Sequence, residues 1–155
     1  KERRYDALDE IYIVSLDARP EVSWAGNRRQ LDQLTEKRIA ELFWKREDLY
    51  ATDIAGAFNL AAHKLNREPM PTDKWLFVFS DLIDEPPLPG NKSQPLENPS
   101  LPSPQIRWDR LADTSISVFW APDQQIMAWE NTLRRILLQV QVRDFLLSST
   151  MRQRH

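Results

Sequence analysis

The sequence contains no cysteine. That excludes disulfides, thiolate metal sites and a cysteine nucleophile, and leaves the compartment undecided. Glycine is almost as scarce: Gly26, Gly56 and Gly90 stand far apart. A phosphate-cradling loop or a dinucleotide fingerprint needs clustered glycines, and this chain has none. No apolar run approaches the roughly 20 residues that span a bilayer. The opening Lys1-Glu2-Arg3-Arg4-Tyr5-Asp6 does not lead into a signal-peptide core. With no export or membrane signal, the cytoplasm is the default expectation. Neither sign of charge dominates. A net charge of -2 gives no global attraction to nucleic acid or to acidic membranes, so most charge reads as solvated surface.

What is present fits a single domain over residues 1–155. At 41% hydrophobic the chain has material for a real core. It opens on Lys1 rather than Met, and a fragment of a longer protein is one reading of that. The most informative stretch is Lys74-Trp75-Leu76-Phe77-Val78-Phe79, which ends abruptly in Ser80-Asp81. An apolar run without alternation predicts a strand buried on both faces, as in the centre of a parallel sheet. Open α/β sheets place ligands at the carboxyl ends of their strands, so Asp81 falls where a polar site would be built.

Other segments support the same class. Glu10 to Leu16 is β-rich and reads as a first strand ending in Asp17, and 18–27, with Pro20 and Gly26-Asn27, reads as a loop. From Arg28 to Leu49 apolar residues recur at helical offsets, giving one long helix or two with a kink near Trp44; a short strand around 42–44 is the alternative. Thr52-Asp53 opens a second helix, with Thr52 as the natural N-cap, that stops before Pro69. Seven prolines lie between Asp84 and Gln105, a Pro-rich loop or insertion over about 85–105 that reads as a spacer. A short helix over 106–112, a strand over 115–121 and a long C-terminal helix over 123–148 complete the chain. The alternation predicts an α/β fold: a doubly wound, mostly parallel, Rossmann-like sheet with helices on both faces. His63, in mid-helix with no second His nearby, reads as a surface or partly packed residue rather than a ligand. Of the six tryptophans, Trp24 and Trp108, on loops, are the best candidates for an exposed contact.

Three pieces in order, Val14-Ser15-Leu16-Asp17, Thr52-Asp53-Ile54-Ala55-Gly56-Ala57 and Phe79-Ser80-Asp81-Leu82, resemble a von Willebrand factor A domain. In that family the first strand leads into an Asp-x-Ser-x-Ser loop, a helix start supplies a Thr, and a Ser-Asp after the fourth strand supplies an Asp. Together they build a metal-ion-dependent adhesion site. The resemblance implies Asp17, Thr52 and Asp81 as ligands of Mg2+, with Asp53 and Asp84 flanking them as contact residues. The chain departs from the family at both Ser positions, which hold Arg19 and Glu21 around Pro20. Arg19 would put a fixed cation where the ion sits and could pair with Asp17 or Asp81 in its place. Glu21, or Ser23 in a longer loop, would be a replacement oxygen ligand. Family members also carry a strand pair ahead of the Thr-bearing loop. That interval reads here as mostly helical, so the sheet is truncated or its edge is completed by a partner strand.

The residues themselves leave alternatives open. If Asp17 and Asp81 follow neighbouring strands, their carboxylates repel unless a cation or backbone donors intervene. Both could instead simply cap the turns that follow them. The first functional reading is a non-enzymatic protein–protein interaction module with its partner at the carboxyl edge. The others are a Mg2+-dependent hydrolase or nuclease using Asp17 and Asp81, and a structural subunit of a larger assembly.

Overall fold

The computed structural model describes residues 9–44, 52–67, 73–83 and 101–149. They form a mixed α/β fold, a three-stranded parallel sheet and a separate two-stranded antiparallel hairpin with interleaved helices.

The hairpin pairs β1 (Glu10–Val14) with β2 (Val22–Asn27). The expected loop over 18–27 is therefore half strand. Val22 and Trp24 favour extended backbone, and Pro20 sits in the connecting turn. Ser15 N donates to Glu21 O at 2.9 Å and Glu21 N to Ser15 Oγ at 3.1 Å, closing that turn. Partnering slips from Ile13–Trp24 to Val14–Val22, which leaves Ser23 as the extra residue of a bulge. Gly26 is required by packing, because a Cβ there would meet the Trp24 ring at 2.7 Å.

The Gly-Asn pair does not make a turn; it starts a helix. Asn27 caps α1 (Arg28–Asp32) in a reciprocal box, accepting from Gln30 N at 3.1 Å while the Gln30 side chain accepts from Asn27 N at 2.9 Å. The helical stretch breaks at 33–35 rather than near Trp44. Thr35 Oγ1 accepts from Arg38 N at 3.2 Å and opens α2 (Glu36–Trp44). Residues 45–49 of the expected helix lie outside the described residues.

Helix α3 (Ile54–Leu65) is capped by Asp53, not by Thr52: Asp53 Oδ1 accepts from Gly56 N at 2.7 Å. Its apolar face, Ile54, Ala55, Phe58 and Ala62, is buried in the core. Asn59 ties this helix to the segment before β4, donating to Gln105 O and accepting from Arg107 N. At its other end Asn66 Nδ2 reaches the carbonyls of Ala62 and Arg110. The Tyr12 hydroxyl, which donates to Glu10 and accepts from Arg67 Nη1 at 2.8 Å, joins the hairpin to the residues after α3. The bond to the Glu10 carboxylate raises the Tyr12 pKa.

The parallel sheet runs β3 (Lys74–Phe79), β4 (Thr114–Phe119), β5 (Asp144–Ser148), in that spatial order. Among the described residues β4 is therefore the central strand, and β3, expected from its unbroken apolar run to be central, has a strand on one side only. Trp75 and Phe77 are accordingly 37% and 39% exposed. Helix α4 (Asp123–Val140) crosses between β4 and β5 as a βαβ unit. The helix expected to reach residue 148 ends at Val140, where Gln141 turns left-handed (φ 55°, ψ 40°). Arg143 N then donates to Thr114 O, and the chain enters β5. Leu147 fits a helical offset from Val140, but Phe145-Leu146-Leu147 is also an uninterrupted apolar run, and pairing with β4 decides for strand.

The core lies against the sheet face formed by Val78, Ile116, Val118 and Leu147. Trp129 and Leu133 of α4, Ile54 and Phe58 of α3, and Trp108 and Leu111 of a 3-10 turn (Trp108–Leu111) fill it. That turn is the remnant of the short helix expected over 106–112. Trp108 is only 6% exposed, packed on Phe58 (5.5 Å between centroids), Trp129 and Phe145. It is a core anchor, not the exposed contact its loop position suggested. Each such burial stabilises by about 1.5–3 kcal/mol. No helix among the described residues is long and apolar enough to cross a membrane.

Candidate functional site

The carboxyl end of the parallel sheet is built by two strained turns. After β3, Ser80 N continues the ladder to Phe119 O at 3.0 Å. Ser80 Oγ then accepts from Leu82 N at 3.0 Å, and Asp81 Oδ1 accepts from Ile83 N at 3.1 Å. These short side-chain bonds fold the chain back over the strand end. Leu82 takes φ 61° and is fully buried. Its carbonyl accepts from the Gln125 amide at 2.9 Å, and Gln125 is itself 2% exposed in the first turns of α4. A buried amide on a buried carbonyl fixes the β3 turn to that helix.

After β4 the chain does the opposite with its side chain. Trp120 takes φ 73°, a conformation costing a non-glycine residue about 1–2 kcal/mol, yet it is 55% exposed. Its ring lies 5.1 Å from that of Phe79, which stacks on Phe119 at 5.4 Å. The rim therefore presents an exposed indole against an aromatic pair, and Asp81, two residues beyond Phe79, is exposed as well. The sequence reading placed Trp120 inside a strand. Pro122, just beyond it, marked an end, but no residue type there signalled a left-handed turn.

The other expected site residues are distributed differently. The strands preceding Asp17 and Asp81 belong to different sheets, so their carboxylates do not converge as the ends of neighbouring strands. Asp17 follows the hairpin strand, and its carbonyl accepts from Asp53 N at 3.2 Å. That bond joins the hairpin turn to the start of α3. Asp17 Oδ1 is buried without a hydrogen-bond partner. Thr52 is half-buried, and Asp53 uses its carboxylate as the helix cap. Arg19 and Glu21 are exposed on the hairpin turn, and Arg19 makes no ion pair with Asp17 or Asp81. Ser23 is held in the bulge of β2, away from the turn it was expected to serve. Asp84 and residues 85–100 lie outside the described residues.

The ion that the family resemblance implies would take oxygens of Asp17 and Asp81, which follow strands of different sheets. Among the described residues no group of three or more His, Asp or Glu side chains is arranged to hold a metal. One oxygen of Asp53 and one of Asp81 each accept a backbone amide. A cleft of about 250 Å³ lined by Ala62, His63, Asn66 and Arg110 lies at the end of α3 remote from its Asp53 cap. It is open, and His63 is exposed beside it.

Comparison with protein-family models, with curated proteins and with solved structures finds no match to this chain.

Proposed function

We propose that this chain is a non-enzymatic protein–protein interaction module that docks its partner at the carboxyl end of the parallel sheet. The observation that carries the reading is Trp120: an indole 55% exposed on a residue whose φ is 73°. Local strain persists where the surrounding structure over-determines it, and such places cluster at binding sites. Exposed tryptophans are also the residues most often found to dominate interface energy. Asp81, exposed at the end of the adjoining strand β3, is the polar contact that orients the partner.

The reading keeps the likeness to von Willebrand factor A domains, with the roles reassigned. The β1–β2 hairpin precedes the Thr52-Asp53 turn, where that family carries a strand pair. Asp17 then belongs to the pair and not to the metal-binding first strand. On this reading the three parallel strands are part of a doubly wound sheet, and the module works as one part of a larger assembly. Docking uses the Trp120–Asp81 surface without an ion.

Quantitative co-purification with wild type, Trp120→Ala, Asp81→Ala and the control Met127→Ala tests this. Met127 is 60% exposed on α4, and it lies outside the proposed surface. Proteins retained by wild type and Met127→Ala but lost from Trp120→Ala support the reading. Equal retention by all four variants refutes it. Phosphoester turnover abolished by Asp81→Ala would overturn the non-enzymatic assignment.

A further inference from the structure

We infer that the cleft at the far end of α3 binds a small phosphate monoester. Its walls are Ala62 and His63 of α3, Asn66 at the C-cap, and Arg110 of the 3-10 turn. Asn66 bonds to Lys74, the first residue of β3, so the cleft lies at the amino end of the parallel sheet. It is away from the carboxyl rim and does not depend on the docking reading. Sites for drug-sized ligands run to roughly 300–1,000 Å³. At about 250 Å³ this cleft suits an ion and its immediate substituent.

Lys74 points to an anion. It is only 7% exposed, and its ammonium donates to Asn66 Oδ1 at 3.3 Å. An ammonium taken out of water needs countercharge. Among the described residues no carboxylate lies within ion-pair range of it. Its partner Asn66 is neutral and forms part of the cleft wall, so the buried charge sits one hydrogen bond behind the cleft. Arg110 lines the cleft, is exposed, and has no ion pair among the described residues. The adjacent Asp109 is held instead by Arg107 Nε and Nη2, at 3.0 and 2.8 Å. The other cations of this region face the hairpin: Arg67 donates to the Tyr12 hydroxyl, and Lys64 lies 5.9 Å over the Tyr12 ring.

The unpaired carbonyls of a helix C-terminus oppose an anion. Here that opposition is reduced. Asn66 Nδ2 donates to Ala62 O at 2.7 Å, and the backbone amides of Asn66 and Arg67 both donate to Lys64 O. Asn66 Nδ2 also donates to Arg110 O at 2.6 Å, which fixes the two walls to each other. The ligand class follows from the charges. A phosphate monoester carries about -1.5 to -2 at neutral pH, which matches Arg110 and Lys74 together; a carboxylate matches only one of them. The planar guanidinium of Arg110 binds two phosphate oxygens in parallel. His63 supplies a ring N–H, and Lys74 acts from behind the wall as a weakly screened charge. The open side of the cleft takes the carbon group of the ester.

Titration of the 155-residue chain with methyl phosphate and with inorganic phosphate tests this, at constant ionic strength and with NMR detection of the amides and the His63 ring. The expected result is saturable shifts at His63, Asn66 and Arg110 from both probes, and none from sodium chloride. Arg110→Gln should weaken binding about tenfold or more, as loss of charge-assisted hydrogen bonds does. The bond from Asn66 to the Arg110 carbonyl survives that change. Lys74→Met should weaken binding severalfold, with the urea midpoint showing that the chain is folded. Arg110 is exposed, so its variant tests the inference even where Lys74→Met fails to fold. Lys37→Gln, which removes an exposed cation of α2, should bind like wild type. Shifts that sodium chloride reproduces, or that a folded Arg110 or Lys74 variant leaves intact, overturn the inference. Binding of phosphate but not of methyl phosphate also overturns it, leaving the inorganic ion as the ligand. A wild-type chain silent to both probes overturns it as well, and binding that then appears in Glu68→Gln would make a side chain of this chain the countercharge.

Discussion

Replacing Gln141 by glycine should stabilise the protein, and the sign of the effect tests where α4 ends. Gln141 is exposed, follows Val140 and takes φ 55°, ψ 40°. A left-handed L-residue costs about 1–2 kcal/mol, and glycine removes that cost. Glycine also gains unfolded-state freedom, which takes back about 0.4–1 kcal/mol. The net expectation is a gain of about 0.5–1 kcal/mol, or roughly 1–4 °C in Tm for a chain of this size. The bond from Asp113 N to Gln141 O is backbone only and survives the change. Urea unfolding followed by circular dichroism should show a higher midpoint at unchanged slope. Gln141→Asn should move the same way by less. If the helix instead continued to residue 148, the introduced glycine would stand in mid-helix and cost about 0.5–1 kcal/mol. A lowered midpoint for Gln141→Gly would therefore refute the termination at Val140 and the existence of β5 with it.

Asp53→Ala should destabilise by about 1 kcal/mol through loss of the α3 cap, whereas Thr52→Ala should change the urea midpoint little. Gly56→Ala should also destabilise, despite alanine's higher helix propensity, because its Cβ collides with the Asp53 carboxylate. Ser115 is 2% exposed and its hydroxyl has no partner, so Ser115→Ala should leave stability unchanged or raise it by up to about 1 kcal/mol; a loss above that would reveal a bond to this hydroxyl. The hydrogen bonds from Arg107, at 2.8 and 3.0 Å, hold the Asp109 carboxyl below its usual pKa. Any stability from this exposed pair is present above the unfolded-state pKa and lost as pH falls through the lower folded-state value. An NMR titration should find Asp109 low in wild type, higher in Arg107→Gln, and closer to its usual value in high salt.

Much of the fold was legible because side-chain pattern and backbone preference agreed. The apolar run at Lys74, the strand near Ser115, the helix after Asp53 and the helix from Asp123 all appear where pattern places them. Errors fell where one pattern served two structures. Phe145-Leu146-Leu147 satisfied both a helix face and a buried strand. Val22-Ser23-Trp24 was too short and too close to Pro20 and Gly26 to read as strand. The candidate site was less legible. Ser80-Asp81 correctly marked the end of a strand, but Trp120 acquires its exposure from a left-handed turn that no glycine announces. The buried Gln125 amide donates to the Leu82 carbonyl, a partner 43 residues away that no local pattern announces.

The sequence alone determined the mixed α/β class, the absence of disulfides, and the starts of the helices after Asp53 and at Asp123, since propensity and capping act over a few neighbouring residues. Tertiary structure decided which strands are neighbours. It put Glu10–Val14 in a hairpin and β3, among the described strands, beside β4 alone, and so separated the strands that precede Asp17 and Asp81. Strand partnership is a contact between residues far apart in the chain, chosen by burial and hydrogen-bond closure across the whole domain. No local run of residues encodes it.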